Sequence, residues 1–178
     1  NEDTLVTAVN FNNPLALILA DEKTPGGTWI SGMQEETLFR RTTLFSHLTK
    51  DMYPILEDEL LLARNVKVFS LYEDFNNFNI IGHMDFIACP GLKKFNGDKQ
   101  ETIIFKNKIR LIFNTAITYN YSTIVLGALG TGAFGCDKRV VAKCFKDVID
   151  EYFNIYNGNI VFAITGKTFN IFKEIILN

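Results

Sequence analysis

Two adjacent glutamates, Glu35 and Glu36, follow a glycine-rich turn at Gly26 and Gly27. Carboxylates can hold hydroxyl groups or transfer protons. Glycines lack side chains, so they let backbone N–H groups approach a sugar or a phosphate closely. Together these residues predict a site for a hydroxyl-bearing ligand. The alternative is that the two acids only complement the positive end of a helix dipole.

A second glycine-rich loop lies far downstream, with glycines at positions 127, 130, 132 and 135. Such a density lets successive backbone N–H groups converge on an anion. Asp137 is then the expected N-cap of a helix, whose positive end also favours an anion. No Gly-Lys-Ser/Thr follows, so the loop is not a Walker motif. It predicts a phosphate site, with a purely structural turn as the alternative.

Other residues with reactive or aromatic side chains show no pattern typical of a site. His47, His83 and the three cysteines lack metal-ligand spacing, so no metal is expected. Trp29 either covers a ligand or anchors its loop to the body of the protein. Arg40 and Arg41 are candidates for contacting phosphate, with one of them expected to be an ordinary solvated helix position.

Composition limits the class of protein. Of 178 residues, 47 % are hydrophobic, and 18 basic residues against 20 acidic ones give a net charge of −2. A protein that binds bulk nucleic acid usually has a clear basic excess, so that class is excluded. Three cysteines without C-x-x-C spacing indicate reduced thiols and an intracellular location, cytoplasmic or nuclear. Apolar runs are far shorter than the roughly 20 residues that span a bilayer, and the acidic start argues against a signal peptide.

The positions of the apolar residues predict helices and strands in the order α-β-α-β-β-α-β-α-β-α. The expected helices cover 3–11, 33–48, 100–119, 137–153 and 168–177, and the expected strands 15–20, 66–71, 84–89, 122–126 and 160–164. A loop with a short acidic helix is expected over 51–65, and a surface turn over 75–79. Short apolar strands between helices predict a three-layer α/β sandwich. Both glycine-rich loops follow strands, so they should meet in one crevice at the carboxyl ends of those strands.

Three stretches of the first half carry a resemblance to a known family, namely Pro25-Gly26-Gly27, Gln34-Glu35-Glu36 and Leu38-x-Arg40-Arg41-Thr42-x-Leu44-Phe45. They resemble the signature of the microbial-type poly(ADP-ribose) glycohydrolases, a branch of the macrodomain fold. Residues 126–135 look like that family's diphosphate loop, and residues 161–164 resemble its final strand. The resemblance implies one α/β/α macrodomain over residues 1–178 with a mixed central sheet, and an N-terminal strand of that sheet could lie before Asn1.

For the chemistry, the resemblance implies a hydrolase that cleaves the ribose–ribose O-glycosidic bond of poly(ADP-ribose) and releases ADP-ribose. Glu36 would be the general acid/base, Glu35 would hold hydroxyls of the distal ribose, and Gln34 would help to fix the loop. No metal or cofactor is implied. The implied partner is poly(ADP-ribose) or an ADP-ribosylated protein, acted on by a monomer that binds neither bulk nucleic acid nor membranes.

The resemblance also assigns ligand contacts to the two glycine-rich segments. The turn at Gly26 and Gly27 would bring backbone to the distal ribose, and Phe134 would lie against the same ribose. The second loop would hold the diphosphate, through Gly127, Gly130, Thr131, Gly132, Ala133 and Gly135.

The chain departs from the family pattern close to the paired glutamates. Thr28 stands where the family has a third glycine, and the stretch from there to Gln34 is shorter than in the family. These differences favour one alternative, a module that binds ADP-ribose without hydrolysing it. Another alternative is an enzyme that removes mono-ADP-ribose.

Overall fold

In the computed structural model, which describes residues 2–72 and 80–177, five strands form one mixed sheet. Their spatial order is β2-β3-β1-β4-β5, with β2 antiparallel to β3 and the other neighbours parallel. The surface turn expected over 75–79 lies outside the described residues. The strands are β1 (Pro14–Ala20), β2 (Leu61–Val68), β3 (Gly82–Pro90), β4 (Thr123–Leu126) and β5 (Asn159–Phe162).

Helices cover both faces of this sheet. They are α1 (Thr4–Ala8), α2 (Gln34–Arg41), α3 (Lys99–Thr118), α4 (Lys138–Tyr152) and α5 (Lys167–Ile176). One apolar core joins the sheet to α1 and α2, and a second joins its other face to α3, α4 and α5. The predicted order of elements and the three-layer α/β/α architecture are therefore confirmed. Within the described residues, none of the helices is long and apolar enough to cross a bilayer.

Strand β1 shows why the layers form. Leu15 and Leu17 point into the core beneath α3, α4 and α5, while Ala16 and Ile18 point into the core beneath α1 and α2. All four side chains are fully buried. A continuous apolar run is the pattern of a strand covered on both faces, and burying each large side chain contributes roughly 1.5–3 kcal/mol.

Helix α2 ends at Arg41, although the helical spacing of apolar residues predicted a helix over 33–48. Thr42 has an extended backbone, with φ −143°, and forms an isolated bridge with Val68 of β2. Its hydroxyl donates to the Leu38 carbonyl over 2.8 Å, which satisfies the last turn of the helix. Pairing with the sheet thus prevails over helical spacing, and a short 3₁₀ turn at Leu44–Ser46 follows.

Strand β2 begins at Leu61, so the predicted start at residue 66 is wrong. Of the loop with a short acidic helix expected over 51–65, the loop is present over 53–60, but the acidic helix is wrong. A bulge shifts the register between Ala63 and Val66, and Asn65 within it has a φ of +57°. The bulge breaks the alternation of buried and exposed residues, which is the main signal of a half-buried strand. A 3₁₀ turn at Lys50–Met52 takes the place of the expected helix.

Strands β1 and β4 separate at their carboxyl ends. The ladder between them stops at Ala16, whereas the ladder from β1 to β3 continues to Ala20. In open α/β sheets, a crevice at the carboxyl ends of diverging strands is the usual place for a ligand. The chain segments that follow these two strands are the two glycine-rich loops.

Candidate active site

A cavity of about 440 Å³ opens at the carboxyl ends of β1 and β4. The β1–α2 loop (residues 21–33) and the start of α2 form one wall, and the β4–α4 loop (residues 127–137) forms the other. The single crevice predicted from the positions of the loops is therefore present. The predicted site residues that line it are Gly27, Gln34, Glu35, Glu36, Gly130, Gly132, Ala133 and Phe134.

Glu35 holds the first half of the β1–α2 loop. The residue is only 4 % exposed, and its two carboxyl oxygens accept hydrogen bonds from the N–H groups of Asp21 (2.7 Å) and Gly26 (3.2 Å). Burial raises the pKa of Glu35 to about 7, against the opposing effect of these hydrogen bonds. Near neutral pH this carboxyl therefore exists in both protonation states, so it can accept or donate a hydrogen bond.

Glu36 holds the second half of the same loop and is 5 % exposed. Its Oε1 accepts from the N–H (3.0 Å) and the hydroxyl (2.7 Å) of Thr28. Its Oε2 accepts from the N–H of Met33 over 3.2 Å, which also closes the first turn of α2. Adjacent helical side chains diverge by about 100°, so the two glutamates reach different parts of the loop.

Gln34 joins α2 to β1 where the β1–β4 ladder has ended. Its Oε1 accepts from the Leu19 N–H (2.9 Å), and its Nε2 donates to the Leu17 carbonyl (2.7 Å). The amide thus satisfies two backbone groups that β4 no longer reaches. Nε2 also contacts the Thr4 hydroxyl of α1 at 3.0 Å. This arrangement fixes the start of α2, and with it both glutamates, on the end of the strand.

The turn at Gly26 and Gly27 brings backbone against these side chains. Both residues have positive φ, +72° and +56°, a region that glycine adopts without strain. A Cβ atom at Gly26 would lie 2.8 Å from the Phe39 ring, and one at Gly27 would lie 3.0 Å from Oε1 of Glu36. The turn therefore needs glycine for its conformation and for its contacts. Gly26 itself lies behind the cavity wall.

Trp29 anchors the outer part of the β1–α2 loop and does not line the cavity. Its indole N–H donates to the Pro25 carbonyl over 3.2 Å, and its ring packs edge-on against Phe39 at 5.5 Å between centroids. Arg40 supports the same segment by donating to the carbonyls of Trp29 (2.7 Å) and Ser31 (3.1 Å). Of the two possibilities for Trp29, anchoring the loop is the one in the structure.

Arg41 is buried and does not reach the cavity. Its guanidinium forms an ion pair with Asp3, with Nη2 and Oδ2 2.9 Å apart, and also donates to the Leu71 carbonyl. Asp3 is the N-cap of α1, so this pair ties α1 to α2. The expectation that one of the two arginines is an ordinary solvated helix residue is therefore wrong, because both side chains support the β1–α2 region.

The tip of the β4–α4 loop carries backbone donors without a protein acceptor. Among the described residues, the N–H groups of Gly132, Ala133 and Phe134 have no hydrogen-bond acceptor. Three successive donors without protein partners are the feature of an anion-binding loop. All three residues line the cavity, opposite the two glutamates.

The remaining glycines of this loop set its shape. Gly130 and Gly135 have φ of +74° and +69°. A Cβ atom at Gly127 would lie 3.1 Å from the Leu19 side chain, so this position packs behind the cavity. The N–H of Gly135 donates to the Gly132 carbonyl over 3.0 Å and closes the turn. Gly127 and Gly135 thus support the loop without lining the cavity.

The N-terminus of α4 is less available to an anion than the sequence suggested. Asp137 is its N-cap, as predicted, and its Oδ1 accepts from the N–H groups of Arg139 and Val140, both at 2.9 Å. The helix end therefore already has a carboxylate as its partner. The donors that remain for an anion belong to the loop.

A second cavity, of about 420 Å³, adjoins the first and shares Leu19, Gln34 and Gly132 with it. Thr131, predicted as part of the diphosphate loop, lines this second cavity. Its hydroxyl donates to the Ala128 carbonyl over 2.9 Å. The crevice therefore has two adjoining compartments that meet at these shared residues.

Sequence reasoning missed several residues of the cavity, among them Gly91 and Met33. A Cβ atom at Gly91 would lie 2.8 Å from Cα of Gly130, so only glycine lets these segments touch. Its position at the carboxyl end of β3 was the available signal. Met33 reaches across the cleft, since a Cβ atom at Gly132 would lie 2.8 Å from its Cε. No sequence pattern indicates that contact.

Three loops are joined at the mouth of the cavity. Lys93, in the segment after β3, donates to Glu22 of the β1–α2 loop over 2.7 Å. The same ammonium lies 5.6 Å from the centre of the Phe134 ring in the β4–α4 loop. This exposed ion pair adds little to the free energy of unfolding. Because Lys93 contacts both Glu22 and the Phe134 ring, it links the position of Phe134 to the positions of the other two loops.

The described residues contain no group of three or more His, Cys, Asp and Glu side chains arranged to hold a metal. The three cysteines are buried and unpaired. Burial raises the pKa of Cys89 to about 12 and that of Cys144 to about 11. Cys136, beside the β4–α4 loop, donates from its thiol to the Leu92 carbonyl. All three are therefore packing residues with little thiolate at neutral pH.

Comparison with solved structures defines the class of fold. The chain is similar to poly(ADP-ribose) glycohydrolase from Deinococcus radiodurans in complex with ADP-ribose, with a TM-score of 0.83, 21 % identity, and coverage of 99 % of this chain and 82 % of that one. It is also similar to the enzyme from Thermomonospora curvata bound to the inhibitor ADP-HPD, with a TM-score of 0.83, 22 % identity, and coverage of 97 % and 76 %. The fold is thus the macrodomain-like α/β/α fold of bacterial poly(ADP-ribose) glycohydrolases.

Comparison with family models narrows this class. The model for the microbial-type PARG catalytic domain matches residues 1–70, the part that holds the glycine turn and both glutamates. The resemblance to this family, first seen in the motifs, is confirmed over these residues. No curated protein sequence matches the chain.

Proposed function

We propose that this chain is a poly(ADP-ribose) glycohydrolase, which cleaves the ribose–ribose O-glycosidic bond and releases ADP-ribose. The observation that carries the proposal is the pairing of two features in one cavity. Glu36 and Glu35 form one wall, and the unpaired N–H groups of Gly132, Ala133 and Phe134 lie in the other. A substrate with a diphosphate beside a ribose matches this pair of walls. The fold and the family model support the same substrate.

Glu36 supplies the acid/base chemistry in this proposal. Its carboxyl group protonates the oxygen that leaves the anomeric carbon, and positive charge develops on the sugar as the bond breaks. The resulting carboxylate then takes a proton from water, which adds to the anomeric carbon and yields free ADP-ribose. Its hydrogen bonds to Thr28 and Met33 hold the carboxyl still during both steps.

Glu35 and the glycines position the ribose. The Glu35 carboxyl, with a pKa raised to about 7 by burial, can hold ribose hydroxyls as acceptor or donor. The backbone at Gly27 is close enough to the glutamates to approach the same sugar. Phe134, held beside Lys93, covers the ribose from the opposite wall.

The second cavity extends the site for the rest of the nucleotide. It continues from the β4–α4 loop tip past Gln34 and includes Lys138, Thr165 and Thr168. We assign the adenosine half of ADP-ribose to this compartment. Each cavity has a volume typical of one small-molecule subsite, and together they suit a dinucleotide-sized ligand.

The proposal includes the biological setting expected from the sequence. The substrate is poly(ADP-ribose), free or attached to protein, and the chain acts as an intracellular monomer in the reversal of ADP-ribosylation. Catalysis uses side chains and backbone alone, with no metal or cofactor.

Labelled poly(ADP-ribose) incubated with the parent chain and with Glu36→Gln tests the proposal. We expect the parent to release ADP-ribose and the variant to be slower by about a hundredfold or more, because it has lost the proton donor. Calorimetric titration should show that both proteins still bind ADP-ribose. Glu57→Gln, which changes an exposed glutamate far from the cavity in sequence, is the matched control and should retain the parent rate.

Three outcomes would contradict this function in different ways. A parent that binds ADP-ribose but releases none from any substrate is a binding module. Release only from mono-ADP-ribosylated protein indicates a mono-ADP-ribosyl hydrolase. Absence of ADP-ribose binding would show that the cavity is not an ADP-ribose site.

A further inference from the structure

The hydrogen bonds of Glu36 are distributed unevenly between its two oxygens. Oε1 accepts two, from the N–H and the hydroxyl of Thr28, while Oε2 accepts one, from the N–H of Met33. A carboxylate oxygen has two lone pairs. Among the described residues, Oε1 is therefore fully used by Thr28, and Oε2 retains a free lone pair.

The Thr28 hydroxyl differs in kind from the other donors to the two glutamates. Glu35 is held by the backbone N–H groups of Asp21 and Gly26, and Oε2 of Glu36 by a third N–H. A backbone N–H can only donate, whereas a hydroxyl can rotate and can either donate or accept. Among the described residues, Thr28 is the one whose side chain donates a hydrogen bond to either carboxyl group.

Neighbouring backbone confines the carboxyl on the same side. A Cβ atom at Gly27 would lie 3.0 Å from Oε1 of Glu36, so Gly27 and Thr28 together enclose this oxygen. Thr28 and Glu36 both line the cavity. The threonine is thus placed to control the orientation of the carboxyl without blocking access to its other oxygen.

We propose that Thr28 is a positioning residue for Glu36, which fixes Oε1 and leaves Oε2 to carry the proton that is given to the leaving oxygen. This inference rests on the proposed hydrolase function. It assigns a use to the position at which this chain departs from the family pattern, because a glycine there provides an N–H but no hydroxyl. The departure therefore supports turnover instead of removing it.

Three proteins test the inference, namely the parent, Thr28→Val and Thr28→Ser. Valine has nearly the shape of threonine without the hydroxyl, and serine restores the hydroxyl. We expect Thr28→Val to lower kcat on poly(ADP-ribose) by about tenfold or more, since it loses a hydrogen bond to a charged group. KM and the affinity for ADP-ribose should stay at the parent values, and Thr28→Ser should recover most of kcat.

The pH profile provides a readout that a purely structural role would not change. Losing a donor to the carboxylate favours its protonated form. Because Glu36 must be protonated to begin the reaction, the alkaline limb of the kcat profile should move to higher pH in Thr28→Val and remain at the parent position in Thr28→Ser. A variant that is only partly folded would lower kcat without moving that limb.

Different results would contradict the role of Thr28 and the proposed hydrolase function on which it rests. A parent that is active on polymer, with Thr28→Val equal to it in kcat and pH profile, overturns the role of Thr28 alone. Equal losses in Thr28→Val and Thr28→Ser do the same, because the hydroxyl would then not be the relevant group. A parent that releases no ADP-ribose overturns the proposed function and this inference together.

Discussion

At the scale of single residues, the site consists of side chains that serve both the ligand and the loop. The carboxyl groups of Glu35 and Glu36 line the cavity, yet among the described residues their side-chain hydrogen bonds all go to the β1–α2 loop. The positions of both glutamates beside Gly27 could be predicted from their order in the sequence. The contacts of Gly91 with Gly130 and of Met33 with Gly132 could not, since they join segments that only the folded sheet brings together.

Glu35 gives a prediction on the pH dependence of stability. Its pKa is raised from 4.5 to about 7 in the folded protein, so between these values the folded chain binds more protons than the unfolded one. The contribution of Glu35 to the free energy of unfolding is then fully present below pH 4.5 and is lost as pH rises through 7. This contribution changes by about 3 kcal/mol at most. Urea unfolding of the parent and Glu35→Gln from pH 4 to 8 measures this difference in slope.

The variant should show a shallower decline of the unfolding free energy than the parent over this range. Its absolute stability is not the readout, because a glutamine oxygen cannot replace both acceptors of the carboxylate. Glu57→Gln, at an exposed position, should retain the slope of the parent. Equal slopes for Glu35→Gln and the parent would show that Glu35 titrates normally.

At the scale of elements, the connection of α2 to β1 decides where the glutamates lie. Apolar periodicity predicted both elements, but not the end of α2 at Arg41 or the early start of β2. Thr42 leaves the helix to pair with Val68, and a bulge near Asn65 hides the alternation of β2. Both features depend on contacts between distant segments, so local sequence patterns do not contain them.

Gln34 gives a prediction at this scale. Gln34→Leu keeps much of the side-chain volume but leaves the Leu19 N–H and the Leu17 carbonyl without partners. We expect a loss of about 2 kcal/mol in the free energy of unfolding, because unsatisfied buried backbone groups are costly. Urea denaturation measures it, with Gln100→Leu at an exposed helical position as the control.

Activity on polymer should fall in Gln34→Leu even under conditions where the variant is folded, since both glutamates follow Gln34 on the same helical turn. Gln34→Glu should lie between the parent and the leucine variant, because it can still accept from Leu19 but cannot donate to Leu17. A leucine variant as stable as the parent would mean that β1 does not depend on this amide.

At the scale of the whole molecule, one sheet separates two apolar cores, and β1 contributes to both. The three-layer architecture could be predicted because short, continuous apolar strands alternate with amphipathic helices. The position of β1 between β3 and β4 could not be derived from the order of elements alone. That position brings the ends of β1 and β4 together and so creates the crevice.

Leu17→Ala tests whether the two cores unfold together. Leu17 belongs to the core beneath α3, α4 and α5, whereas Trp29 packs against Phe39 on the opposite face. We expect a loss of about 3 kcal/mol, seen at the same urea midpoint by Trp29 fluorescence and by far-ultraviolet circular dichroism. A fluorescence midpoint that stays at the parent value would mean that the faces unfold separately. Leu177→Ala, at a residue 74 % exposed, is the control.

Gln34, Glu35 and Glu36 both line the cavity and hold the surrounding backbone in place, which has a consequence for how such sequences evolve. A descendant that lost turnover but still bound its ligand would need the same loop, and these three side chains hold that loop in place. Selection for binding alone is therefore sufficient to retain the triplet. The presence of this triplet in a gene therefore does not distinguish an enzyme from a protein that only binds the ligand. The informative position is 28, where a hydroxyl group that can donate to the Glu36 carboxyl is either present or absent.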